Sequence, residues 1–386
     1  MPEMTIKDVI IIGAGPAGSL AGYHLAKAGL DVLIIEKCRF PRRKVCGGGL
    51  TQHACRELPY DLSPVIHKQI DWAILGCHGR KVKEIHSDRP IAYLIDRASL
   101  DNFLLGQALQ RGASVKLGQR VHTIENKGDW VSVKTAQGSY QTRYLIGADG
   151  VHSMVARTFG FSRLNPLSLV YEARLAYPLS ESDTLLKAVT FDFGTHPFGY
   201  GWAFPKRDHI NVGVFRSWPG RRTSQGLLQR FISLNPALRD LPILDTRAYP
   251  VPLGGVPQSI HNERVLLVGD AAQLADPWLG EGLYYAFISG RMAAETILGC
   301  ENHQFADLSH YSEQINAALI PQFKAARHLS MLVYSLPFLN VLLLCASTKL
   351  QQIILDLLRG DRSYTRIWET LKTRVPSTIW KTITRQ

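Results

Sequence analysis

Three short segments of this 386-residue chain contain the residue types and spacings best suited to holding a dinucleotide cofactor. They run from Val9 to Gly18, from Leu145 to Gly150 and from Val265 to Ala272. Each begins as an apolar run typical of a buried strand and then passes into glycine and other small residues. One such segment is a weak signal, but three in this order indicate an FAD-dependent oxidoreductase.

The first segment has the glycine spacing of a phosphate-binding turn. Gly13 permits a tight turn after the strand, Gly15 lets the backbone approach a pyrophosphate, and Gly18 lets the next helix pack closely against the strand. That helix, predicted over about 17–28, directs its N-terminal N–H groups at the phosphates, and Gly29 is suited to end it. The structural alternative is an ordinary turn between a strand and a helix.

An acidic residue follows at the distance that ribose recognition requires. A second strand, predicted over 31–36, ends at Glu36, which lies 18 positions after Gly18. A carboxylate there accepts hydroxyl groups from an unphosphorylated adenosine ribose, which favours FAD or NAD over NADP. In this part of the chain, the predicted cofactor-binding residues are Gly13, Gly15, Pro16, Ala17, Gly18, Glu36 and Lys37.

The other two segments supply further anchors for the cofactor. We predict that Asp149 and Gly150 contact it and that Asp270 accepts a ribitol hydroxyl, although Asp270 can also serve as a helix N-cap. Gly280 and Gly282 precede a helix predicted over about 282–298. The N-terminal amides of that helix can face the pyrimidine edge of a flavin, where negative charge develops on reduction.

The pattern of apolar residues changes in the middle of the chain. Residues 101–112 are predicted to be helical, and 113–148 to form short strands with turns. Residues 187–216 alternate between apolar and polar positions, which is typical of an antiparallel sheet, and 206–208 can turn a hairpin within it. After residue 260 the chain returns to a buried strand and a helix, so the cofactor domain is expected to be discontinuous.

We therefore predict an α/β fold with an inserted α+β region. It comprises a Rossmann-type FAD-binding domain, an antiparallel-sheet substrate domain and a helical C-terminal region. The predicted boundaries are 1–60, 97–160 and 260–300 for the FAD-binding domain, 61–96 and 161–259 for the substrate domain, and 301–386 for the helical region.

Composition and the chain start indicate a cytoplasmic enzyme. With 46% hydrophobic residues the chain can bury a large core. The six cysteines lack zinc-like spacing, so we expect thiols in a reducing compartment and no metal site. The N-terminus runs almost directly into the first strand without the features of a secretory signal peptide.

The chain carries a formal charge of +12, and the segment from Lys349 onward contributes eight Lys and Arg against three Asp and Glu. This charge fits a solvated surface, but it also suits an anionic lipid surface, a diphosphate-bearing substrate or an acidic electron-donor protein. No nucleic-acid-binding motif is visible.

An apolar stretch over 330–346, interrupted by Pro337 and Asn340, is too short to span a bilayer. It fits either a buried helix pair or a peripheral membrane- or lipid-facing surface.

Three more specific motifs resemble those of the geranylgeranyl reductase family, within the para-hydroxybenzoate hydroxylase-like group of flavoproteins. Residues 41–48 are similar to its Pro-x-x-Lys-x-Cys-Gly loop beside the flavin, and residues 200–205 with Gly213 to its Tyr-x-Trp-x-Phe-Pro signature. Residues 280–295 are similar to its flavin-side helix. The likeness covers nearly the whole chain, but Phe215 replaces the second glycine of the signature. This departure is expected to narrow or reshape the lipid cavity.

The resemblance implies reduction of isolated C=C bonds in an isoprenoid chain, with hydride from reduced flavin on one carbon and a proton on the other. It places Lys44, Cys46 and Gly47 beside the flavin, with Cys46 as proton donor or as an edge of the active site. Arg97 is predicted to contact the cofactor through its guanidinium fork. The alternatives are that Cys46 is a small packing residue, that Lys44 is solvated and that Arg97 forms a structural salt bridge.

Tyr200, Trp202 and Phe204 share one face of a strand by the period-two rule, so we predict that they, with Pro205, bind the isoprenoid substrate. Simple core packing is the alternative.

The reductant stays open between NADPH and a reduced ferredoxin-like protein. The head group of the substrate is open as well. Two other functions fit the same residues: a flavin monooxygenase or halogenase, and a non-catalytic isoprenoid-binding flavoprotein.

Overall fold

The apolar run near the N-terminus forms the central strand of a parallel sheet. In this computed structural model, the described residues are 6–162, 167–176, 184–195, 198–217, 225–254, 259–335 and 346–373. The central strand is β1 (Ile6–Ile12), and it pairs in parallel with β2 (Val32–Glu36) on one side and β11 (Gly138–Gly147) on the other. Its continuous hydrophobicity follows from burial on both faces of the sheet.

Strands from distant parts of the chain complete this first sheet. Its order is β8-β2-β1-β11-β10-β9, and β17 pairs in parallel with the end of β11. The additional strands are β8 (Ser114–Leu117), β9 (Val121–Asn126), β10 (Val131–Thr135) and β17 (Val265–Leu267). The short strands predicted over 113–148 and the return to a buried strand after residue 260 are therefore confirmed.

Three helices pack around this sheet: α1 (Pro16–Lys27), α3 (Arg97–Gln110) and α7 (Leu283–Glu301). Helix α3 begins four residues before the predicted 101–112, because the Asp96 carboxylate caps it by accepting the N–H groups of Ala98 and Ser99. Shorter helices lie at α2 (Gln52–Arg56) and α4 (Met154–Thr158). Gly29 adopts a left-handed φ of 92° just after α1, as a helix-ending glycine does.

A second sheet of seven strands has the order β16-β12-β15-β14-β13-β5-β6. All its neighbours are antiparallel except β13 and β5. Its strands are β5 (Trp72–Cys77), β6 (Arg80–His86), β12 (Leu167–Ala176), β13 (Val189–Phe193), β14 (Gly199–Pro205), β15 (His209–Arg216) and β16 (Ile243–Pro252). The hairpin predicted at 206–208 joins β14 to β15 and is confirmed.

A third, small sheet completes the set. It consists of β3 (Gly49–Thr51), β4 (Ile66–Ile70) and β7 (Ala92–Ile95), with β7 in the centre. Helices α5 (Thr184–Lys187) and α6 (Gln225–Leu234) accompany the second sheet. Helix α6 buries Leu228, Phe231 and Ile232 in a cluster with residues of β12 and β15, so the second sheet has an apolar core of its own on that face.

The described residues of the C-terminal region, 301–335 and 346–373, are mainly helical, as predicted. Helices α8 (Ser309–Ser335), α9 (Thr348–Arg359) and α10 (Tyr364–Lys372) follow one another, and Leu329 of α8 and Trp368 of α10 share an apolar cluster with Trp202 of β14. The predicted apolar stretch over 330–346 lies largely outside the described residues. Among the helices that the structure describes, none has the length and apolar character needed to cross a bilayer. The predicted fold class is confirmed.

Candidate active site

A cavity of about 1080 Å³ joins the carboxyl ends of the parallel strands to the second sheet. Its polar end lies against the turn after β1 and against Glu36. Its apolar end lies between the second sheet and the C-terminal helices, where Val189, Phe191 and Leu358 line it. The cavity therefore combines, in one continuous space, a polar half and an apolar half.

The structure brings nearly all the predicted site residues to this cavity. The lining includes Gly13, Gly15, Pro16, Ala17, Glu36, Lys37, Lys44, Cys46, Gly47, Arg97, Asp149, Gly150, Tyr200, Trp202, Phe204, Asp270, Gly280 and Gly282. Two predicted residues are not part of it. Gly18 lies beneath the turn, and Pro205 is buried at the end of β14.

The turn after β1 is closely packed at its first glycine. A Cβ on Gly13 would lie 2.3 Å from the Ala148 carbonyl oxygen, and its φ of 106° is itself unfavourable for other residues. A Cβ on Gly18 would lie 2.1 Å from the Gly13 oxygen, so Gly18 acts through helix packing, as predicted. Helix α1 starts without a side-chain cap, which leaves its first N–H groups for a ligand in the cavity. Arg42 lies beside Gly15, its Nη2 atom 3.8 Å from a Cβ built there.

Glu36 is held at the end of β2 by the backbone. It is 4% exposed, and its two carboxylate oxygens accept N–H groups from Ala14 and Cys38, each at 2.9 Å. These bonds fix the carboxylate at the edge of the cavity. Each oxygen retains a further acceptor position, which suits the pair of hydroxyl groups on a ribose.

Two aspartates flank the middle of the cavity. Asp149 Oδ2 accepts the N–H groups of Met154 and Val155 at 2.6 and 3.2 Å, whereas its Oδ1 is buried without a hydrogen-bond partner among the described residues. Asp270 lies in a short 3-10 turn (Gly269–Ala272), and its side chain caps neither that turn nor α7. Both carboxylates are therefore positioned to accept hydrogen bonds from a ligand.

Glu172 of β12 holds the Cys46 loop against the second sheet. Its carboxylate accepts the Cys46 N–H at 2.9 Å and a bond from Arg43 at 3.2 Å. The buried Lys206 Nζ donates to the Gly48 carbonyl at 2.9 Å, so the loop is fixed from a second direction. Burial lowers the pKa of Lys206 to about 8. The hairpin prediction treated Lys206 as a turn residue, but its side chain points inward to this loop.

Lys44 and Arg97 occupy the space between the loop and the parallel sheet. Lys44 Nζ lies 2.8 Å from the ring centroid of Tyr249, and burial lowers its pKa to about 7 although Asp270 opposes that shift. The guanidinium fork of Arg97 is taken by Asp101, which accepts its two bonds at 2.8 and 2.9 Å. Arg97 thus forms the structural salt bridge that was the alternative, while it still lines the cavity.

The predicted aromatic residues form one wall of the cavity. The Tyr200 hydroxyl donates to the Leu279 carbonyl at 2.6 Å, and Trp202 Nε1 donates to Asn211 Oδ1 at 2.8 Å. Their polar atoms are thereby satisfied, and their ring faces remain for apolar contact. A Cβ on Gly213 would lie 2.1 Å from the Trp202 ring, which explains the glycine of the signature.

Phe215 fills the space at the junction of β15 and the loop before α7. It is 2% exposed, lines the cavity, and packs against Tyr200 with ring centroids 5.6 Å apart. A Cβ on Gly280 would lie 2.9 Å from its ring. The Phe215 side chain therefore occupies volume that a second glycine would leave empty. This agrees with the predicted narrowing of the lipid cavity.

Glu281, between the two predicted glycines of the α7 loop, was not predicted as a site residue. It lines the cavity, and its Oε1 accepts the Thr51 hydroxyl at 2.7 Å. Burial raises its pKa to about 7; Asp276 adds to this shift and Thr51 opposes it. Burial likewise raises the pKa of Asp276 to about 6.

Several polar residues that shape the site were missed at the sequence level. Glu172 and Asn211 stand out only as polar residues within apolar strands, and Glu281 as an acid between two glycines. A polar residue at an inward strand position is a usable signal, because it requires a buried partner. No His, Cys, Asp or Glu cluster suited to a metal ion occurs in the described ranges.

These features fit FAD. The glycine turn and the uncapped helix suit a pyrophosphate, Glu36 suits the adenosine ribose, and the unpartnered Asp149 Oδ1 suits a hydroxyl donor.

Comparisons with known proteins agree with this assignment. A family model described as FAD dependent oxidoreductase matches residues 8–79, and one described as FAD binding domain matches residues 63–196. Digeranylgeranylglycerophospholipid reductase 2 of Methanopyrus kandleri is 30% identical over 75% of this chain and 76% of its own length. Menaquinone reductase of Mycobacterium tuberculosis is 31% identical over 75% of this chain and 76% of its own length.

Solved structures show the same fold. A geranylgeranyl bacteriochlorophyll reductase-like protein from Thermoplasma acidophilum matches with a TM-score of 0.73 and 24% identity, over 85% of this chain and 88% of that one. A flavin-dependent brominase matches with a TM-score of 0.70 and 21% identity, over 92% and 94%. The fold is thus shared with halogenases, whereas the sequence relatives named above are reductases. The chain is an FAD-binding oxidoreductase and belongs to the geranylgeranyl reductase family.

Proposed function

We propose that the chain reduces C=C bonds of a geranylgeranyl-type isoprenoid chain. The observation that carries this proposal is the continuity of the cavity, which leads from the FAD-binding residues past the aromatic wall into an apolar end. An extended hydrocarbon chain can lie along this space with one double bond beside the flavin. The names of the sequence relatives support an isoprenoid-bearing substrate, and the head group remains open.

Bound FAD, when reduced, supplies the hydride for this reaction. The residues of the chain have a different task, because an isolated C=C bond is apolar and develops little charge that a side chain could stabilise. Tyr200, Trp202 and Phe204 hold the hydrocarbon by apolar contact, and their fixed ring positions set which bond faces the flavin. The same wall excludes water from the reacting carbons.

We propose that Cys46 forms the active-site edge between flavin and substrate. Its sulfur accepts the Gly48 N–H at 3.3 Å, and the adjacent Gly47 leaves only 3.1 Å between an added Cβ and Trp202 Nε1. The loop thus contacts the aromatic wall directly. Arg97 lines the cavity while its guanidinium fork is held by Asp101, and Gly18 and Pro205 act through packing. The other cofactor-binding and substrate-binding residues have the roles predicted for them.

An anaerobic single turnover tests the proposal. The FAD of the purified protein is reduced with dithionite, geranylgeranyl diphosphate or a digeranylgeranylated glycerophospholipid is added, and flavin absorbance is followed together with the mass of the lipid. We expect the flavin to reoxidise and the lipid to gain two hydrogens for each bond reduced. A flavin that stays reduced without air, but oxygenates or halogenates a product once oxygen and halide are admitted, would favour the monooxygenase or halogenase alternative.

A further inference from the structure

We infer that Glu281 is the acid that protonates the substrate alkene, and that Thr51 positions it. This inference rests on the proposed reductase function. It assigns the proton to a residue on the α7 loop and leaves Cys46 with the role of an active-site edge.

Glu281 lines the cavity, and a hydrogen bond fixes one of its two carboxyl oxygens. The Thr51 hydroxyl oxygen already accepts the Ala54 N–H at 3.1 Å, so its hydrogen is available to Glu281 Oε1, which lies 2.7 Å away. With Oε1 acting as acceptor, an acidic proton on the carboxyl group resides on Oε2. Thr51 directly follows the loop that carries Cys46, whereas Glu281 precedes α7, so this bond joins the two sides of the cavity.

The surroundings favour the protonated form of Glu281. The titratable groups that interact with it come from the loop before it, α2, β14, α7 and α10: Asp276, Cys55, Tyr200, Tyr284, Tyr285 and Tyr364. None of these groups is cationic, so none favours the carboxylate. Burial and Asp276 favour the neutral acid, whose pKa is about 7. A general acid is most effective when its pKa lies near the working pH.

Cys46 is differently arranged. Its sulfur accepts the Gly48 N–H, and Arg97 also forms a hydrogen bond to it. Both donors bind the sulfur atom and neither orients a thiol proton toward the aromatic wall. These contacts suit a residue that fixes the shape of the loop.

The step balances with the groups already named. The π electrons of the alkene form a C–H bond with the proton of Glu281 at one carbon, while the other carbon receives the hydride that reduced FAD supplies. Glu281 is left as a carboxylate and takes up a proton from solvent before the next turnover. The alkene gains two hydrogens in total, and FAD is oxidised by two electrons.

The test compares Glu281→Gln with the wild type and with Glu295→Gln, which alters an exposed acid on α7, the helix that Glu281 precedes. Each protein is loaded with FAD, reduced anaerobically and mixed with geranylgeranyl diphosphate at several pH values. We expect the wild-type rate of flavin reoxidation to fall as the pH rises through about 7. Glu281→Gln should lose about 100-fold or more and lose this pH step, with normal FAD content and reduction by dithionite. Glu295→Gln should behave as wild type.

A second measurement does not depend on turnover. Infrared spectra of the oxidised holoprotein should contain a protonated carboxylic acid band that disappears as the pH rises through about 7 and is absent in Glu281→Gln. Wild-type rates in Glu281→Gln, or a retained pH step that Cys46→Ser removes, would overturn the assignment and leave the reductase intact. If the wild type reduces no geranylgeranyl lipid, the proposed function fails, and the donor role fails with it.

A separate measurement tests whether Thr51 positions Glu281. Its hydroxyl lowers the pKa of Glu281, so Thr51→Val should raise that pKa and move the pH step upward, while Thr51→Ser should restore it. A merely structural role would reduce FAD content or stability without moving the step, and that result would overturn the role of Thr51.

Discussion

Trp202 and Gly213 form a contact that fixes the aromatic wall at a single position. The indole ring lies where a side chain at Gly213 would be, and its Nε1 is tied to Asn211. We predict that Gly213→Ala displaces the ring and costs about 1–3 kcal/mol in the free energy of unfolding, because extra volume in a packed interior forces shifts. The rate at which the lipid reoxidises reduced FAD without air should fall, while FAD stays bound. Urea unfolding measures the loss of stability, and single-turnover kinetics measure the rate of reoxidation.

Gly106 provides the matched control for this substitution. A Cβ at Gly106 on α3 would meet no atom within 4 Å. Gly106→Ala should therefore stabilise the protein by about 0.5–1 kcal/mol through helix propensity and leave turnover unchanged. Equal effects of the two substitutions would contradict the role given to the Trp202 contact.

Lys206 makes stability depend on pH in a defined direction. Its pKa is about 8 in the folded chain, below the ordinary value of 10.5, because of burial. The unfolded chain therefore binds more protons between these values, and stability should rise with pH across that window. We predict that the wild type gains on the order of 3 kcal/mol relative to Lys206→Met between about pH 7 and pH 10.5. Urea unfolding of both proteins at several pH values measures this difference in the free energy of unfolding. A difference that does not change with pH would refute the inward position of Lys206.

Much of the site could be predicted at the residue level because its chemistry follows the chain locally. The glycines of the first turn, Glu36 and the aromatic alternation each depend on spacing within one strand–turn–helix or one strand. Glu172, Lys206 and Glu281 could not be found in this way. Their partners lie at residues 46, 48 and 51, far away along the chain, and only the tertiary structure brings them together.

At the level of elements, helix α9 closes the apolar end of the cavity. Leu358 lines that end, and the next residue, Arg359, is 2% exposed and bonded to Asp88 at 2.8 Å in the segment between β6 and β7. Asp361 adds ion pairs to Arg56 and Arg89. The end of α9 is thus attached to two other parts of the chain.

We predict that Arg359→Met loosens this attachment. Amide hydrogen exchange within 348–359 should accelerate, and the KM for the isoprenoid substrate should rise because the apolar end opens to water. Arg366→Met, on the exposed face of α10, is the control and should change neither quantity. Unchanged exchange in Arg359→Met would show that apolar packing alone holds α9.

The elements themselves could be predicted well where hydrophobic periodicity was strong. The hairpin at 206–208 and helix α7, predicted over about 282–298, followed from the sequence, with helix ends that differ by a few residues. The start of α3 was placed too late because its cap, Asp96, was not recognised as one. The pairing of β5 with β13, which adds β5 and its partner β6 to the second sheet, could not be predicted, since register between distant strands is set by tertiary packing.

At the scale of the whole molecule, the charge of +12 has a kinetic consequence. We propose that an acidic ferredoxin-like protein can deliver electrons, and we predict that its rate of FAD reduction falls as salt rises from about 0.05 to 0.5 M, because the Debye length shortens to a few ångströms. Stopped-flow reduction measures this, with NADPH as the comparison. A salt-independent rate would argue against electrostatic docking and in favour of NADPH.

In the proposed reaction, electrons pass from FAD to a lipid double bond without oxygen. The most direct measurement is the stoichiometry of one anaerobic turnover in D2O, counting FAD oxidised against lipid mass gained. We expect one double bond to be saturated for each FAD oxidised, with no oxygen or halogen in the product. A flavin that reoxidises without any change in lipid mass, or only after air enters, would contradict it.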